Sequence, residues 1–310
     1  MCGIVGFLDK SGNRQAPIGH VLLDMLSALG ERGPDSSGVA LYGDHGDGRM
    51  VLQVKLGTEQ SHEAEAAGIA KSLQSIAPTL ESSVKGSYLR LVVDAQKTPA
   101  DLTRVVEAAG DGIEVVSMGS RLEVVKQVGS PENLELTYEI SSAVGTHAIG
   151  HTRMSTESRV DLSHSQPFWG HGLPDLAIVH NGHITNYHKL RRRYEQEGHR
   201  FYTENDSEII GLYLADEMSR GKDFEAALRS SLTDFDGSFC YLAATADRLG
   251  FAKDPFGFKP LLVAETPAYV AIATEERALR SAFDDDFWVQ EPGVNRVQTW
   301  QVPQVLAAAS

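Results

Sequence analysis

The chain has 310 residues, of which 42% are hydrophobic and 23% charged, and this composition excludes disordered, collagenous and fibrous proteins. Its formal net charge of -14 argues against a general affinity for nucleic acid or anionic membranes, because binding to phosphate depends on cationic side chains. The chain has two cysteines, no signal-peptide pattern at its N-terminus and no run near the ~20 apolar residues of a membrane span, so we expect a cytoplasmic protein.

The N-terminal part of the chain is predicted to alternate between strands and a helix. An apolar, β-rich segment opens at Cys2, and a stretch with apolar residues at helical spacing follows it. Residues 44–48, rich in Gly and Asp, are predicted to form a hairpin loop between two strands. The predicted elements are a strand at 2–8, a helix at 19–30, a turn at 32–38, and strands at 39–42 and 50–54.

Residues of about 61–140 have a mixed α+β pattern with no concentration of catalytic residue types. We interpret this segment as an insertion or small subdomain within a single domain spanning 1–310. Its predicted elements are helices near 62–76 and 99–109 and strands at 87–93, 113–117 and 121–127.

The remainder of the chain is predicted to return to strands, with a block of helices between them. Two blocks of strands separated by helices favour an α+β fold in which two sheets pack together with helical layers outside. The predicted strands lie at 147–153, 176–182, 238–245, 249–253, 260–265 and 269–274, and the predicted helices at 186–197, 206–220 and 222–232.

The second residue, Cys2, supplies two functional groups once Met1 has been removed. A thiol is a poor nucleophile until it becomes a thiolate, so it needs a base. The freed α-amine would be that base, because its reference pKa of about 7.7–8.0 lies close to neutral pH. If Met1 is retained, this chemistry is lost. The alternative is that Cys2 is simply a small apolar residue that opens a strand.

Acyl transfer also needs donors for a developing oxyanion. Asn181 and Gly182 follow an apolar strand, and a side-chain amide and a backbone N–H can converge at such a position. The same Asn-Gly pair is also a common hairpin turn, so it does not establish the site by itself.

A free amino acid as substrate would need a cation for its carboxylate and an anion for its ammonium group. Arg153 ends a predicted strand, and arginine holds a carboxylate bidentately. Asp206 lies just before an apolar helix, where it could bind the ammonium group or serve as the N-cap of the helix.

Together, seven segments closely resemble class II glutamine amidotransferases, which are N-terminal-nucleophile hydrolases. The resemblance implies an αββα four-layer sandwich of two antiparallel sheets. It also implies that Cys2 is the nucleophile and that Asn181 and Gly182 form the oxyanion hole. The segments are residues 1–6, 32–38, 150–153, 166–168, 180–187, 205–208 and 253–261.

The resemblance further implies a glutamine-binding set. In it, Arg153 holds the α-carboxylate of glutamine, Asp206 holds the α-ammonium, and Arg32 orders the loops around the nucleophile. Many family members have Trp after the His-Thr-Arg segment and His shortly afterwards, whereas this chain has residues 154–157 there. Thr156 keeps a hydroxyl at the matching place and is included in the predicted substrate-binding set.

The sequence is most similar to stand-alone amidotransferase subunits of glutamate-synthase-like systems, including the N-methylglutamate synthase type. Ammonia released into water at neutral pH is soon protonated, so we expect a shielded path to an acceptor such as 2-oxoglutarate. The chain ends without room for a synthase domain, which predicts separate synthase subunits and a hetero-oligomer. We expect no metal or cofactor in this chain, and expect any flavin or iron–sulfur cofactor to belong to the partners.

Other functions remain open at this point. The chain could be a stand-alone Cys N-terminal-nucleophile hydrolase of another amide, or a non-catalytic regulatory subunit. Three histidines near the proposed site, His147, His151 and His180, have no tight ligand spacing and are interpreted as structural hydrogen-bonding residues. The second cysteine, Cys240, is predicted to be a buried core residue.

Overall fold

The computed structural model describes residues 2–46, 48–57, 61–94, 97–155 and 159–303. Its strands are β1 Gly3–Asp9, β2 Ser36–Tyr42, β3 Arg49–Lys55, β4 Thr79–Lys85, β5 Tyr88–Asp94, β6 Glu114–Gly119, β7 Leu122–Val128, β8 His147–Arg153, β9 Phe168–Trp169, β10 Ala177–Ile184, β11 Gly237–Thr245, β12 Arg248–Lys253, β13 Leu262–Glu265, β14 Tyr269–Ala273, β15 Val289–Gln290 and β16 Arg296–Gln301. Its α-helices are α1 Ile18–Ala28, α2 His62–Leu73, α3 Pro99–Glu107, α4 Pro131–Tyr138, α5 Tyr187–Gln196, α6 Asp206–Ser219, α7 Phe224–Asp234 and α8 Glu276–Ala282. Short 3-10 helices lie at Gly30–Arg32 and Ile140–Ser142.

Two antiparallel sheets face each other at the centre of the molecule. Within the described residues, the first sheet has the order β15-β13-β14-β1-β8-β2-β7 and the second the order β16-β12-β11-β10-β9. Strand β1 lies inside the first sheet, paired with β14 on one side and β8 on the other. Because β1 is central, the residue at its start is held between the ends of two neighbouring strands.

The alternation of side chains along β1 shows how the layers stack. A Cβ added to Gly6 would lie 2.9 Å from Leu242 of the second sheet. Gly150, which pairs with the adjacent Val5, instead faces Leu22 and Leu26 of α1. One face of the first sheet therefore packs on the second sheet and the other on α1, as a period of two requires.

Helices complete the outer layers. Helices α1 and α8 pack together against the first sheet, and α6 and α7 pack against the second. The buried face of these second-sheet helices forms its own apolar cluster with the outer face of that sheet. The predicted αββα sandwich of two antiparallel sheets is confirmed.

A third sheet, of order β4-β5-β3-β6, lies beside this sandwich and carries α2 and α3. We call β3 to β6 with α2 and α3 the α+β unit. Its bounds differ from the predicted segment of about 61–140, because β3 already belongs to it. At the other end, β7 pairs with β2 in the first sheet.

The predicted hairpin at 44–48 was wrong. Strand β2 pairs with β7 and β8, whereas β3 pairs with β5 and β6, so the two strands lie in different sheets. All seven residues of β2 are buried, which suits an interior position covered on both faces. The predicted turn at 32–38 was also too long, because β2 begins at Ser36. Within the described part of the chain, every helix is too short or too polar to cross a membrane.

Candidate active site

Cys2 stands at the edge of an open cleft, immediately before β1. The next residue, Gly3, pairs with Thr152 on β8, and this pairing brings the end of β8 beside the cysteine. The Cys2 side chain is half-buried, and its Sγ lies 3.7 Å from the carbonyl oxygen of Met154. The thiol is therefore both held by the protein and reachable from the cleft.

The backbone of Cys2 is fixed by two side chains from different parts of the fold. Arg32 Nε donates to the Cys2 carbonyl oxygen at 2.8 Å, and Asn181 Nδ2 donates to the same oxygen at 3.1 Å. The guanidinium of Arg32 also forms an ion pair with Glu275, at the start of α8. These contacts tie the nucleophile candidate to the second sheet through Asn181 and to the start of α8 through Arg32.

Strand β10 supplies the proposed oxyanion donors. Asn181 is buried, whereas Gly182 is exposed to the cleft. Gly182 has a φ of 133°, and a Cβ there would lie 2.2 Å from the carbonyl oxygen of Ser238 on β11. Only glycine fits such a backbone conformation at this distance from the next strand. The requirement for glycine is therefore set by the close approach of β11.

Arg153 ends β8 with its side chain buried beside the thiol. Its Nη1 donates to the carbonyl oxygen of Arg159 at 2.9 Å. Burial lowers the pKa of the Arg153 guanidinium, while the carboxylates of Asp161 and Asp35 oppose that shift. A buried arginine at a cleft wall is suited to binding a carboxylate.

Asp206 is the first residue of α6 and also borders the cleft. Its Oδ2 accepts a hydrogen bond from the Ile184 N–H at 2.8 Å, and the imidazole of His183 lies 3.4 Å away. The N-cap of α6 is Asn205, whose side chain accepts from Ser207 N. The alternative interpretation of Asp206 as the cap was therefore wrong, and its carboxylate is available to face the cleft.

These groups share one cleft with a volume of about 740 Å³. The nucleophile candidate, the amide donors, a cation and an anion thus border a single space large enough for an amino acid. The described residues that line it are Cys2, Arg153, Met154, Ser155, Gln166, His180, Asn181, Gly182, His183, Tyr187, His188, Arg191, Glu204, Asn205, Asp206 and Ser207.

Comparison with known proteins identifies the family to which this chain belongs. The glutamine amidotransferase-like protein GlxB of Rhizobium meliloti is 35% identical over 94% of this chain and 96% of its own length. A presumed glutamine amidotransferase of Methanothermobacter thermautotrophicus is 37% identical over 96% of this chain and 99% of its own length. The chain belongs to the class II glutamine amidotransferases. It is an enzyme, and its family hydrolyses glutamine and transfers the ammonia.

Further matches agree with this assignment. A sequence-family model described as a glutamine amidotransferase domain matches residues 151–281 of this chain. The Bacillus subtilis glutamine phosphoribosylpyrophosphate amidotransferase shares the fold, with a TM-score of 0.61 at 17% identity. That alignment covers 98% of this chain and 50% of the Bacillus subtilis chain.

Two of the four residues predicted for glutamine binding by the amidotransferase come together in the cleft. Arg153 and Asp206 line it, on β8 and α6 respectively. Arg32 does not appear among the described lining residues, and it contacts the Cys2 carbonyl instead. The contact of Arg32 with the Cys2 carbonyl suits a residue that orders Cys2 better than one that touches the substrate. Thr156, also predicted to bind substrate, lies outside the described residues.

Gln166 and Ser207 connect two elements of the amidotransferase site, and no role was predicted for either residue. Gln166 Oε1 accepts from His180 N at 2.6 Å, and its Nε2 donates to the His180 carbonyl at 3.0 Å. The same Nε2 donates to Ser207 Oγ at 3.1 Å. These bonds lock β10 beside the start of α6. A glutamine before proline in one of the family segments was the available signal.

The three histidines of the amidotransferase differ in their surroundings. His147 contacts Thr146 Oγ1 at 2.9 Å and the Thr245 carbonyl at 2.8 Å, as predicted for a structural residue. Nδ1 of His180 lies 2.9 Å from Ser207 Oγ. His151 was predicted to hydrogen-bond, but its buried ring approaches Asn181 and the His180 backbone without a bond of normal geometry.

Cys240 is confirmed as a core residue of the amidotransferase. It is fully buried on β11, and burial raises the pKa of its thiol to about 12. A thiol with that pKa is inert at neutral pH. Of the two cysteines, Cys2 is therefore the one whose surroundings permit chemistry.

Proposed function

We propose that the protein is a glutaminase subunit that hydrolyses glutamine through a Cys2 thioester and delivers ammonia to a separate synthase subunit of glutamate-synthase-like type. The observation that carries this proposal is the convergence of Cys2, Asn181, Arg153 and Asp206 on one cleft. The cation and anion match a free amino acid, and the thiol and amide donors match acyl transfer to sulfur.

The reaction follows from the groups in place. After Met1 is removed, the α-amine of Cys2 takes the thiol proton, and the thiolate attacks the side-chain carbonyl carbon of glutamine. Asn181 Nδ2 and the Gly182 N–H stabilise the oxyanion of the tetrahedral intermediate. The C–N bond breaks as the α-ammonium returns its proton to the leaving ammonia. Water, deprotonated by the α-amine, then cleaves the γ-glutamyl thioester and releases glutamate.

Glutamine is held at its amino-acid end while its amide reaches the thiol. The Arg153 guanidinium would bind the α-carboxylate, and Asp206 would bind the α-ammonium. Both side chains are mostly buried, with Arg153 4% exposed and the Asp206 side chain 16% exposed. Low solvent exposure strengthens such charged contacts relative to the same contacts in open water.

The ammonia would pass to an acceptor on another chain. Within the described residues, the helices and strands belong either to the sandwich and its flanking helices or to the α+β unit. No described element forms a second catalytic domain. We propose that a partner carries the acceptor, 2-oxoglutarate or a similar oxo acid, together with any flavin or iron–sulfur cofactor.

The first experiment labels the protein with a glutamine-mimicking alkylator and measures the intact mass and the modified residue. The expected result is a chain without Met1 that gains one label, at Cys2, and releases glutamate from glutamine. Cys2→Ala should fold normally, take no label and release no glutamate. Glutamate release by Cys2→Ala, or its absence from the wild type with and without partner subunits, would refute the proposal.

Two measurements separate the alternatives. A stand-alone hydrolase of another amide would cleave that amide faster than glutamine, so rates are compared over a panel of amides. Purification of the native complex, followed by mass spectrometry, tests for synthase partners. A fully active, partner-free protein would remove the ammonia-delivery part of the proposal and leave the glutaminase part standing.

A further inference from the structure

The α+β unit contacts the segment that borders the glutamine cleft through a buried carboxylate. Glu114, on β6, accepts hydrogen bonds from Lys55 Nζ at 2.9 Å and from Ser163 Oγ at 2.5 Å. Lys55 Nζ also donates to Ser163 Oγ at 2.5 Å, which closes a three-membered cluster. The Glu114 side chain is only 10% exposed. Ser163 is the one member outside the unit, and it belongs to the segment that follows Arg153.

A second buried carboxylate of the unit contacts the segment that leads into α6. Glu107, at the end of α3, accepts from the Tyr202 hydroxyl at 3.0 Å and pairs with Arg200 at 3.1 Å. Its other oxygen accepts from Val115 N within the unit at 3.2 Å. The Glu107 side chain is 8% exposed. A single carboxylate therefore joins the unit to the segment that leads into α6.

The first of these segments, residues 159–166, is bonded to cleft residues along its length. Its Arg159 carbonyl accepts from Arg153, the proposed carboxylate ligand, at 2.9 Å. Its Gln166 makes the paired bonds to the His180 backbone, next to Asn181. Ser163 lies between these two points, so its position affects both.

The second segment, residues 200–205, leads directly to Asp206. Tyr202 N and Thr203 N donate to the carboxylate of Glu208 at 2.8 Å and 2.9 Å, which folds the segment onto the first turn of α6. Asn205 caps the same helix through Ser207 N at 3.0 Å. A shift of Tyr202 would therefore shift the carboxylate proposed to bind the glutamine ammonium.

We propose that the α+β unit positions the glutamine cleft, with Glu114 and Glu107 as positioning residues that hold the segments carrying the ligands of the two ends of the amino acid. This inference rests on the proposed function, since it concerns the affinity of the same cleft for glutamine. It gives a role to a part of the chain that the family segments do not cover. Neither carboxylate contacts the reacting atoms.

Because Glu114 is buried, its contacts favour one position of the 159–166 segment. Burial by itself would raise the pKa of Glu114, but Lys126 and Lys55 hold that pKa below its ordinary value. A buried carboxylate left without its partners is strongly unfavourable. The unit is therefore matched to one arrangement of the 159–166 segment, and a displaced segment would leave Glu114 with fewer partners.

The test uses gentle changes on the cleft side of each contact. Ser163→Ala and Tyr202→Phe each remove one hydroxyl and leave both carboxylates with other partners. Each is expected to raise KM for glutamine about two- to tenfold, the effect of one lost hydrogen bond, with a smaller change in kcat. Alkylation of Cys2 by iodoacetamide, which does not use the amino-acid ligands, should keep its wild-type rate.

The matched control is Ser120→Ala. Ser120 Oγ donates to Asp175 Oδ2 at 3.0 Å, a hydroxyl–carboxylate contact just beyond β6 and away from the described cleft lining. Ser120→Ala should lower the thermal stability about as much as Ser163→Ala and Tyr202→Phe do, but it should leave KM for glutamine unchanged. Wild-type KM in both Ser163→Ala and Tyr202→Phe, or an equal rise in Ser120→Ala, would overturn the positioning role. A wild type without glutaminase activity would instead remove the proposed function itself, and this inference with it.

Discussion

The side-chain amide of Asn181 lies 3.1 Å from the carbonyl oxygen of Cys2, across the interface between the two sheets. Its Oδ1 is buried and has no hydrogen bond among the described residues. The amide is thus anchored through its nitrogen to the residue that would perform the attack. The amide nitrogen carries two hydrogens, so it can hold the Cys2 carbonyl with one and donate the other to a substrate oxygen in the adjoining cleft.

Replacement of Asn181 tests this relationship. Asn181→Ala is expected to lower kcat for glutamine hydrolysis about 10²- to 10³-fold, because one oxyanion donor is lost, while KM changes little. Steady-state kinetics of glutamate release measures both constants. Asn186→Ala is the control, because Asn186 makes its bonds with Asp234 and Asp236 rather than with Cys2. A raised KM with an unchanged kcat would show that Asn181 binds substrate but does not stabilise the transition state.

Gly182→Ala is expected to reduce both folding stability and activity. Its φ of 133° is strained for alanine, and the new Cβ would meet the Ser238 carbonyl at 2.2 Å, which must push β10 and β11 apart. Gly198→Ala separates these effects, because Gly198 also has a positive φ, of 90°, but has no atom within 4 Å of its Cβ position. Thermal unfolding should place Gly182→Ala well below Gly198→Ala, and equal melting temperatures would contradict the steric argument.

Asp206→Asn should weaken binding of glutamine specifically at its ammonium group. Loss of a charge-assisted contact predicts a rise in KM of about 10- to 100-fold. Glutaramate, which has the amide and carboxylate of glutamine but lacks the α-ammonium, supplies the matched substrate. Wild-type enzyme should prefer glutamine over glutaramate in kcat/KM, and Asp206→Asn should lose most of that preference. A preference that survives the substitution would assign the ammonium group to another residue.

Local sequence signals predicted much of this site, and long-range pairing decided the rest. Cys2 at the start of an apolar strand and the Asn181–Gly182 pair after another were both visible in the sequence. The sequence did not show that β2 and β3 join different sheets. The turn residues between them predict a reversal of the chain but not which strands pair. The role of Gln166 was equally hidden, since it depends on the approach of His180 from another strand. Asp206 and Asn205 are both good cap residues, and only the backbone showed which one caps α6.

Buried histidines predict how stability depends on pH. Burial lowers the pKa of His147 to about 3, despite the contact with the Thr245 carbonyl, which raises it. The ordinary value of about 6.5 applies once the chain unfolds. Between these pKa values the unfolded state binds a proton that the folded state does not. The contribution of His147 is therefore fully present above about pH 6.5 and is lost as the pH falls toward about 3.

Denaturant unfolding at a series of pH values measures this loss. Within the window, each such histidine should lower the free energy of unfolding by about 1.4 kcal/mol per pH unit. His147→Gln should be less stable at pH 8, because the stacking of the imidazole on Tyr42 is lost, but its stability should fall less steeply below pH 6. The exposed residue His188 gives the control, and His188→Gln should follow the wild-type slope. Parallel curves for His147→Gln and wild type would show that another group takes up the proton.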